Sequence, residues 1–340
     1  MKSKRDINGE ITQQIIAAIE AGAGQFQRLW HRAGTGLGRP VNALTGNAYR
    51  GINILSLWVS AQLGNYSCGI WGTYRQWAEL GAQVRKGEKS SLVVFYKDLD
   101  IDSLNPDTGE TEANTIFIAK PSPVFNADQV NGFILPEQPA RRDLTERAEV
   151  AERFIVATRA QILHGGPRAF YRPSTDHIQT PERDRFFGSQ TSSPTEAYYS
   201  TLLHELTHWT AHPSRLDRDL KGRFDKRAYA MEELVAELGA AYLCADLEIA
   251  IEPRKDHADY IADWLGALRM DAKAIFAAAA AASRATDFLY SLCFRRVFTQ
   301  NREGHFWELC LGKFFTGTQG NCVPPRLMPN GGAGGMLVGG

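Results

Sequence analysis

The chain has 340 residues, 44% hydrophobic and 22% charged, and its 38 Lys/Arg balance 38 Asp/Glu. This is an ordinary globular composition, and the length favours two domains over one. No apolar run reaches the roughly eighteen residues of a membrane span, and the N-terminus MKSKRDINGEITQQ lacks the apolar stretch of a secretory signal, so no membrane partner is expected. Cysteines at 68, 244, 293, 310 and 322 are too scattered for a disulfide framework or a CxxC zinc site. Reduced thiols and a cytoplasmic protein are expected.

The neutral total conceals an asymmetry. Residues 1–97 hold 12 Lys/Arg against 5 Asp/Glu, whereas residues 98–112 hold six acids and no base. A basic first segment suggests a polyanionic partner.

In chain order, Ile11, Ile15, Ile16 and Ile19 share one face of a helix over 8–20, with Asn8 as its N-cap. A Gly-rich, aromatic and basic stretch follows. The run ILSLWVSAQLG then reads as a helix closed by Gly64, and TYRQWAELGA as another, capped by Thr73. Residues 91–97 and 115–119 are β-rich runs flanking an acidic loop. The first unit is therefore a small α+β domain over 1–132.

Residues 133–145, with two prolines, read as a linker. A helix is expected over 144–163 with Ala148, Phe154, Ile155 and Ile162 inward, then one or two short strands over 169–180. Strong helices follow over 195–211 and 228–247, and alanine-rich helix over 256–290. The fold class is thus α+β: a small N-terminal α+β domain, then a mostly helical domain with a short sheet over 146–290. From about Cys293 the periodicity fades, and 291–340 reads as an atypical, partly disordered tail ending in PNGGAGGMLVGG.

The chemistry lies in His204-Glu-Leu-Thr-His208. Positions four apart share a helix face, so His204 and His208 can aim both imidazoles at one metal ion. Glu205 is placed to act as general base toward a water at that metal. Leu202, Leu203, Leu206 and Trp209 make the helix amphipathic, and buried histidines need partners. A catalytic zinc site takes a third protein ligand, and the acidic helix 231–238 offers Glu233 and Glu237 on one face, with Glu232 turned toward solvent or a basic residue. His212 competes, but a continuous helix carries it roughly 12 Å along the axis from His204. Thermolysin-like enzymes follow their ligand glutamate four residues later with an acid that orients the first histidine. That likeness makes Glu233 the ligand and Glu237 the orienting acid. Zinc is the expected ion, with manganese or cobalt able to use the same donors. Asp176–Thr180 reads as an edge strand able to pair with an extended peptide. Tyr198 and Tyr199 read as core residues or as a source of an electrophilic phenol.

Residues 26–97 interleave cations with aromatic rings, the combination used to track phosphates and stack bases of a single strand. Candidate DNA contacts are Arg32, Asn47, Tyr49, Arg50, Tyr74, Arg75, Arg85, Lys86 and Lys89. No helix carries a basic face suited to duplex recognition.

The runs VNALTGNAYRGINILSLW, GIWGTYRQWAELGAQVRKGEKSSLVVFYK and PVFNADQVNG, with YYSTLLHELTHWTAHPSRLDRDLKGRF and YAMEELVAELGAAYLCADL, resemble the ArdC/TraC antirestriction family over roughly 8–290. The resemblance implies a single-stranded-DNA-binding domain joined to a zincin-like metallopeptidase domain. It also implies protection of incoming plasmid DNA from host restriction enzymes during conjugation. A protein substrate or a restriction enzyme is a further expected partner. The alternative is a zinc-dependent protease that its DNA domain delivers to a target.

Overall fold

The computed structural model describes residues 6–21, 38–104, 111–136, 142–189, 192–218, 226–249, 265–266 and 268–300. The readings that fall on Arg32 and on 301–340, and on the Ile19 side chain, lie outside them.

Helix α1 spans Ile7–Ala21 and buries Ile11, Ile15 and Ile16. The Asp6 carboxylate accepts the Gly9 N–H at 3.0 Å, so Asp6 takes the cap expected of Asn8. Next come β1 (Val41–Asn42), α2 (Ile52–Leu63), β2 (Ile70–Gly72), α3 (Tyr74–Glu79), β3 (Gln83–Val84), β4 (Ser91–Leu104), β5 (Thr111–Asn126) and β6 (Val130–Asn131). Thr73 caps α3 in a complete capping box with Gln76. One sheet has the order β1-β2-β5-β4, with β1 and β2 parallel and the other pairs antiparallel. Pairing of β4 with β5 continues from Ser91↔Val124 to Leu104↔Thr111. The expected acidic loop is therefore mostly strand, because DLDIDSL alternates with the period of a strand.

Helix α2 is buried almost all round and covers the free edge of β4 at its start, around Leu92–Val94. The Asn53 amide donates to Val94 O at 2.9 Å and accepts from Val94 N at 2.7 Å, and Ser56 Oγ donates to Leu92 O. Side chains thus stand in for the missing neighbouring strand.

In the second half, α4 covers Leu144–Thr158, with Asp143 as its cap. Arg159 then adopts a left-handed φ of 58°, which ends the helix five residues short of the expected 163. Ile162 lies instead on β7 (Gln161–His164). Strands β8 (Phe170–Arg172) and β9 (His177–Thr180) complete a sheet of order β7-β9-β8. The expected edge strand is corrected by this order. β9 is central, paired in parallel with β7 and antiparallel with β8, so it has no open edge for a peptide. The last elements are α5 (Pro194–Trp209), α6 (Lys226–Leu247) and α7 (Ala274–Gln300). α7 runs past Cys293, where the sequence pattern had faded.

One apolar cluster joins both halves: Ile15 of α1 and Trp58 of α2 belong to it with Leu206 of α5, Tyr242 of α6 and Leu289 of α7. Polar contacts reinforce the joint. Tyr242 donates to Gly51 O, Gly51 N donates to Ser283 Oγ at 2.8 Å, and Arg39 pairs with Asp246 at 2.9 Å. The expected boundary near 132 lies between the two sheets of the first half, β1-β2-β5-β4 and β3-β6, and the β7-β9-β8 sheet of the second, and one apolar cluster spans both halves. Among the described residues no helix is long and apolar enough to cross a membrane.

Candidate metal centre

Helix α5 begins at a capping box in which Ser193 and Glu196 exchange hydrogen bonds, with Pro194 in the first turn. Leu202, Leu203 and Leu206 are fully buried in the apolar cluster to which Leu234, Leu238 and Tyr242 of α6 also belong, which fixes the helix in place. His204 and Glu205 are each only 3% exposed. Helix α6 crosses antiparallel to α5, so that residues rising along one meet residues falling along the other. His204 therefore faces Glu237, His208 faces Glu232, and Glu233 lies between them.

The distances show how completely the two helices are matched. His204 Nε2 lies 3.5 Å from Glu233 Oε2, and His208 Nε2 lies 3.5 Å from Glu233 Oε1. On the other side of each ring, His204 Nδ1 is 3.1 Å from Glu237 Oε1, and His208 Nδ1 is 3.2 Å from Glu232 Oε1. A carboxylate that accepts from Nδ1–H leaves the Nε2 lone pair facing inward. His204, His208 and Glu233 thus present three donor atoms within 4.8 Å of one another. Two imidazoles and one carboxylate, each imidazole backed by a further carboxylate, suit a divalent ion.

Close approach of the helices depends on Gly239. A Cβ there would come 2.5 Å from Cγ2 and 2.7 Å from Oγ1 of Thr207. Thr207 is fully buried, β-branched, and tied through its hydroxyl to Leu203 O at 2.9 Å, so it cannot swing aside. Gly239→Ala gains about 1 kcal/mol of helix propensity but meets an overpacking cost of about 1–3 kcal/mol. We expect a net loss of stability in urea unfolding of the metal-free protein; an unchanged or higher midpoint would count against this packing.

Burial by itself depresses the His208 imidazole, but hydrogen bonds to Glu232 and Glu233 outweigh it and push it up to about 10. Burial raises Glu233, yet both histidines hold it well below the usual carboxylate range. In the metal-free protein the raised histidine contributes stability that is full below its ordinary value of 6.5 and is lost as pH rises through about 10. The depressed glutamate contributes stability above its ordinary 4.5, lost as pH falls through its lowered value. Because His208 must release its proton to become a ligand, the gap in Tm between zinc-treated and EDTA-treated protein should widen from pH 6.5 toward 9. A gap that is constant or narrows would refute it.

Other expected participants fall elsewhere. His212 lies in the turn after α5 with Nδ1 2.8 Å from Ser214 Oγ, outside the donor cluster. Tyr198 OH sits 2.9 Å from His164 Nε2, and Tyr199 donates to Glu152 at 2.9 Å. Both rings are buried on another face of α5, so neither supplies a phenol at the metal centre. Glu232 is corrected in part. It meets a basic residue, Arg218, as expected, but it also accepts from His208. The roles of Glu232 and Gly239 were missed; only the Glu232-Glu233 doublet hinted at the first.

The candidate DNA contacts divide into three groups. Arg75, Lys86, Lys89 and Asn47 are exposed, and Tyr74 is half exposed with its hydroxyl accepting from Gln83. Arg85 pairs with Glu88 at 2.7 Å, and Arg50 pairs with Asp287 of α7. Tyr49 is a correction. It is 5% exposed and packs with Leu57, Trp71 and Val93, because the loop folds back so that Tyr49 N donates to Pro40 O. It offers no stacking face.

Comparison with known proteins agrees with this architecture. Residues 5–125 match the N-terminal domain of anti-restriction factor ArdC, and residues 149–281 match a zincin-like metallopeptidase domain. The protein y4eC of Sinorhizobium fredii (strain NBRC 101917 / NGR234), described as uncharacterized, is 49% identical over 84% of this chain and 92% of its own length. A DNA primase TraC of Escherichia coli is 37% identical over 85% of this chain, which spans only 20% of that protein. The metal-free crystal structure of the antirestriction protein ArdC from plasmid R388 aligns with a TM-score of 0.70 at 40% identity, covering 86% of this chain and 99% of that one. Its Mn(II)-bound form aligns with a TM-score of 0.67 at 38% identity, covering 85% and 98%. The chain belongs to the ArdC family of antirestriction proteins.

Proposed function

We propose that this protein is an antirestriction factor that binds single-stranded DNA without sequence preference and shields incoming plasmid DNA from host restriction endonucleases during conjugation. Support comes from family membership and from the exposed cations Arg75, Lys86 and Lys89 beside the half-exposed ring of Tyr74. In the second half, His204, His208 and Glu233 are the metal ligands, Glu237 orients His204, and zinc is the proposed ion, with manganese as the alternative held by a relative. The observation that carries the metal reading is the convergence of both Nε2 atoms on Glu233. A divalent ion there would supply Lewis-acid polarisation of a substrate carbonyl. Glu205, on the same helix and buried, would accept a proton from the attacking water.

The antirestriction reading is tested by digesting single-stranded-DNA-containing substrate in the presence of an Arg75→Ala/Lys86→Ala/Lys89→Ala variant. Protection should fall in step with DNA affinity. Protection that persists after affinity is lost would sink the DNA-occupancy mechanism. A protease aimed at a restriction enzyme or another protein is the second reading, favoured by the buried Glu205 between the two histidines.

A further inference from the structure

Glu232 stands behind His208, and what holds Glu232 itself in place lies outside the two helices. Its Oε1 lies 3.2 Å from His208 Nδ1 and accepts from Arg218 Nη2 at 2.8 Å, while its Oε2 accepts from Arg218 Nε at 3.1 Å. Arg218 also donates to Thr207 O and to Thr210 Oγ1, both at 2.8 Å. These side chains are 12–13% exposed, shielded from water that would otherwise compete. The arginine belongs to the turn that folds back after α5, where Arg218 N donates to Ala211 O and Leu216 N to Thr210 O.

An imidazole needs two restraints to serve as a ligand: the ring must be held at one rotation, and one nitrogen must carry the proton. The helix fixes neither. For His208, the Glu232 carboxylate can do both, provided that it is itself held still. A two-nitrogen grip by a guanidinium holds a carboxylate in one plane. We infer that Glu232 is a positioning residue for the metal centre, acting through His208, and that Arg218 is the clamp that fixes it. Arg218 has a second effect. Glu232, Glu233 and Glu237 crowd the two imidazoles, and the guanidinium offsets the charge of Glu232. The centre therefore depends on the turn following α5 as well as on the two helices. This inference rests on His204, His208 and Glu233 being metal ligands.

The test is zinc binding to the full metal-stripped chain by competition with a chromophoric chelator, with cobalt(II) absorption as a second readout. Glu232→Ala should weaken zinc about 10–100-fold. Glu232→Gln, whose amide oxygen can still accept from Nδ1–H, should lose less, and Arg218→Met should fall between the two. All three should alter the visible spectrum of the cobalt-loaded protein, which a distant structural change would leave alone. Should Glu232→Ala fail to fold, Glu232→Gln and Arg218→Met decide, with far-UV circular dichroism as the check. Affinities within twofold of the parent and an unchanged cobalt spectrum, while Glu233→Gln loses zinc, would overturn the inference and leave the metal reading standing. A parent protein that binds no zinc or cobalt, or a Glu233→Gln variant that binds as the parent does, would overturn both.

Discussion

A Glu205→Gln variant should protect DNA as well as the parent does, while any peptide hydrolysis falls about 10²–10⁴-fold, the range for losing a positioned general base. The substitution keeps the volume of a side chain that is only 3% exposed, so the α5–α6 packing survives it. It leaves His204, His208 and Glu233 untouched, and zinc content should match the parent. In the proposed function DNA contact belongs to the other half of the chain, where Arg75, Lys86 and Lys89 are exposed. Protection by occupancy of the strand therefore requires nothing of Glu205. Protection that disappears, with zinc content and DNA affinity intact, would make peptide-bond cleavage the mechanism. The measurement is one digestion series run beside a metal analysis of the same preparations.

The motif His204-Glu-Leu-Thr-His208 was legible because helical spacing alone puts both rings on one face. Glu233 and Glu237 were legible for the same reason, as an acidic pair four apart on a second helix. Glu232 was not, since its bond to His208 depends on where α6 crosses α5, and Arg218 joins it only through a turn whose path no periodicity encodes. Gly239 reads as a flaw in a helix until the Thr207 side chain is seen against it. Acidic composition suggested a loop over 98–112, yet strand pairing continues because alternation outweighs charge in a ribbon. Tyr49 has neighbours that suggest a loop open to ligand, and only the backbone bond to Pro40 turns its ring inward. The shared core was equally hidden. Ile15 and Leu289 are far apart in sequence, and apolar faces state that they need burial without naming a partner.

Binding of single-stranded DNA should weaken roughly 50-fold as monovalent salt rises from about 50 to 200 mM. The figure follows from about four neutralised phosphates and a slope of about −0.7 per contact for single strands. The cations proposed to make those contacts are the exposed Arg75, Lys86 and Lys89, with Arg50 as the fourth. Arg50 must first leave Asp287, but both partners are well exposed, at 62% and 40%, so the pair contributes little and a phosphate can replace it. Arg85 is a weaker contributor because its guanidinium already grips Glu88. The Arg75→Ala/Lys86→Ala/Lys89→Ala variant should lose about three contacts, leaving a shallow slope of about −0.7 and similar weak binding at both salt concentrations. Fluorescence anisotropy with a labelled oligonucleotide measures both slopes. A parent slope near zero would remove the phosphate backbone as the ligand, and an unchanged slope in the triple variant would place the contacts on another face. Sequence preference offers an independent check: because stacking on Tyr74 and contacts to phosphate read no base edges, oligonucleotides of different mixed sequence should bind within a few-fold of one another.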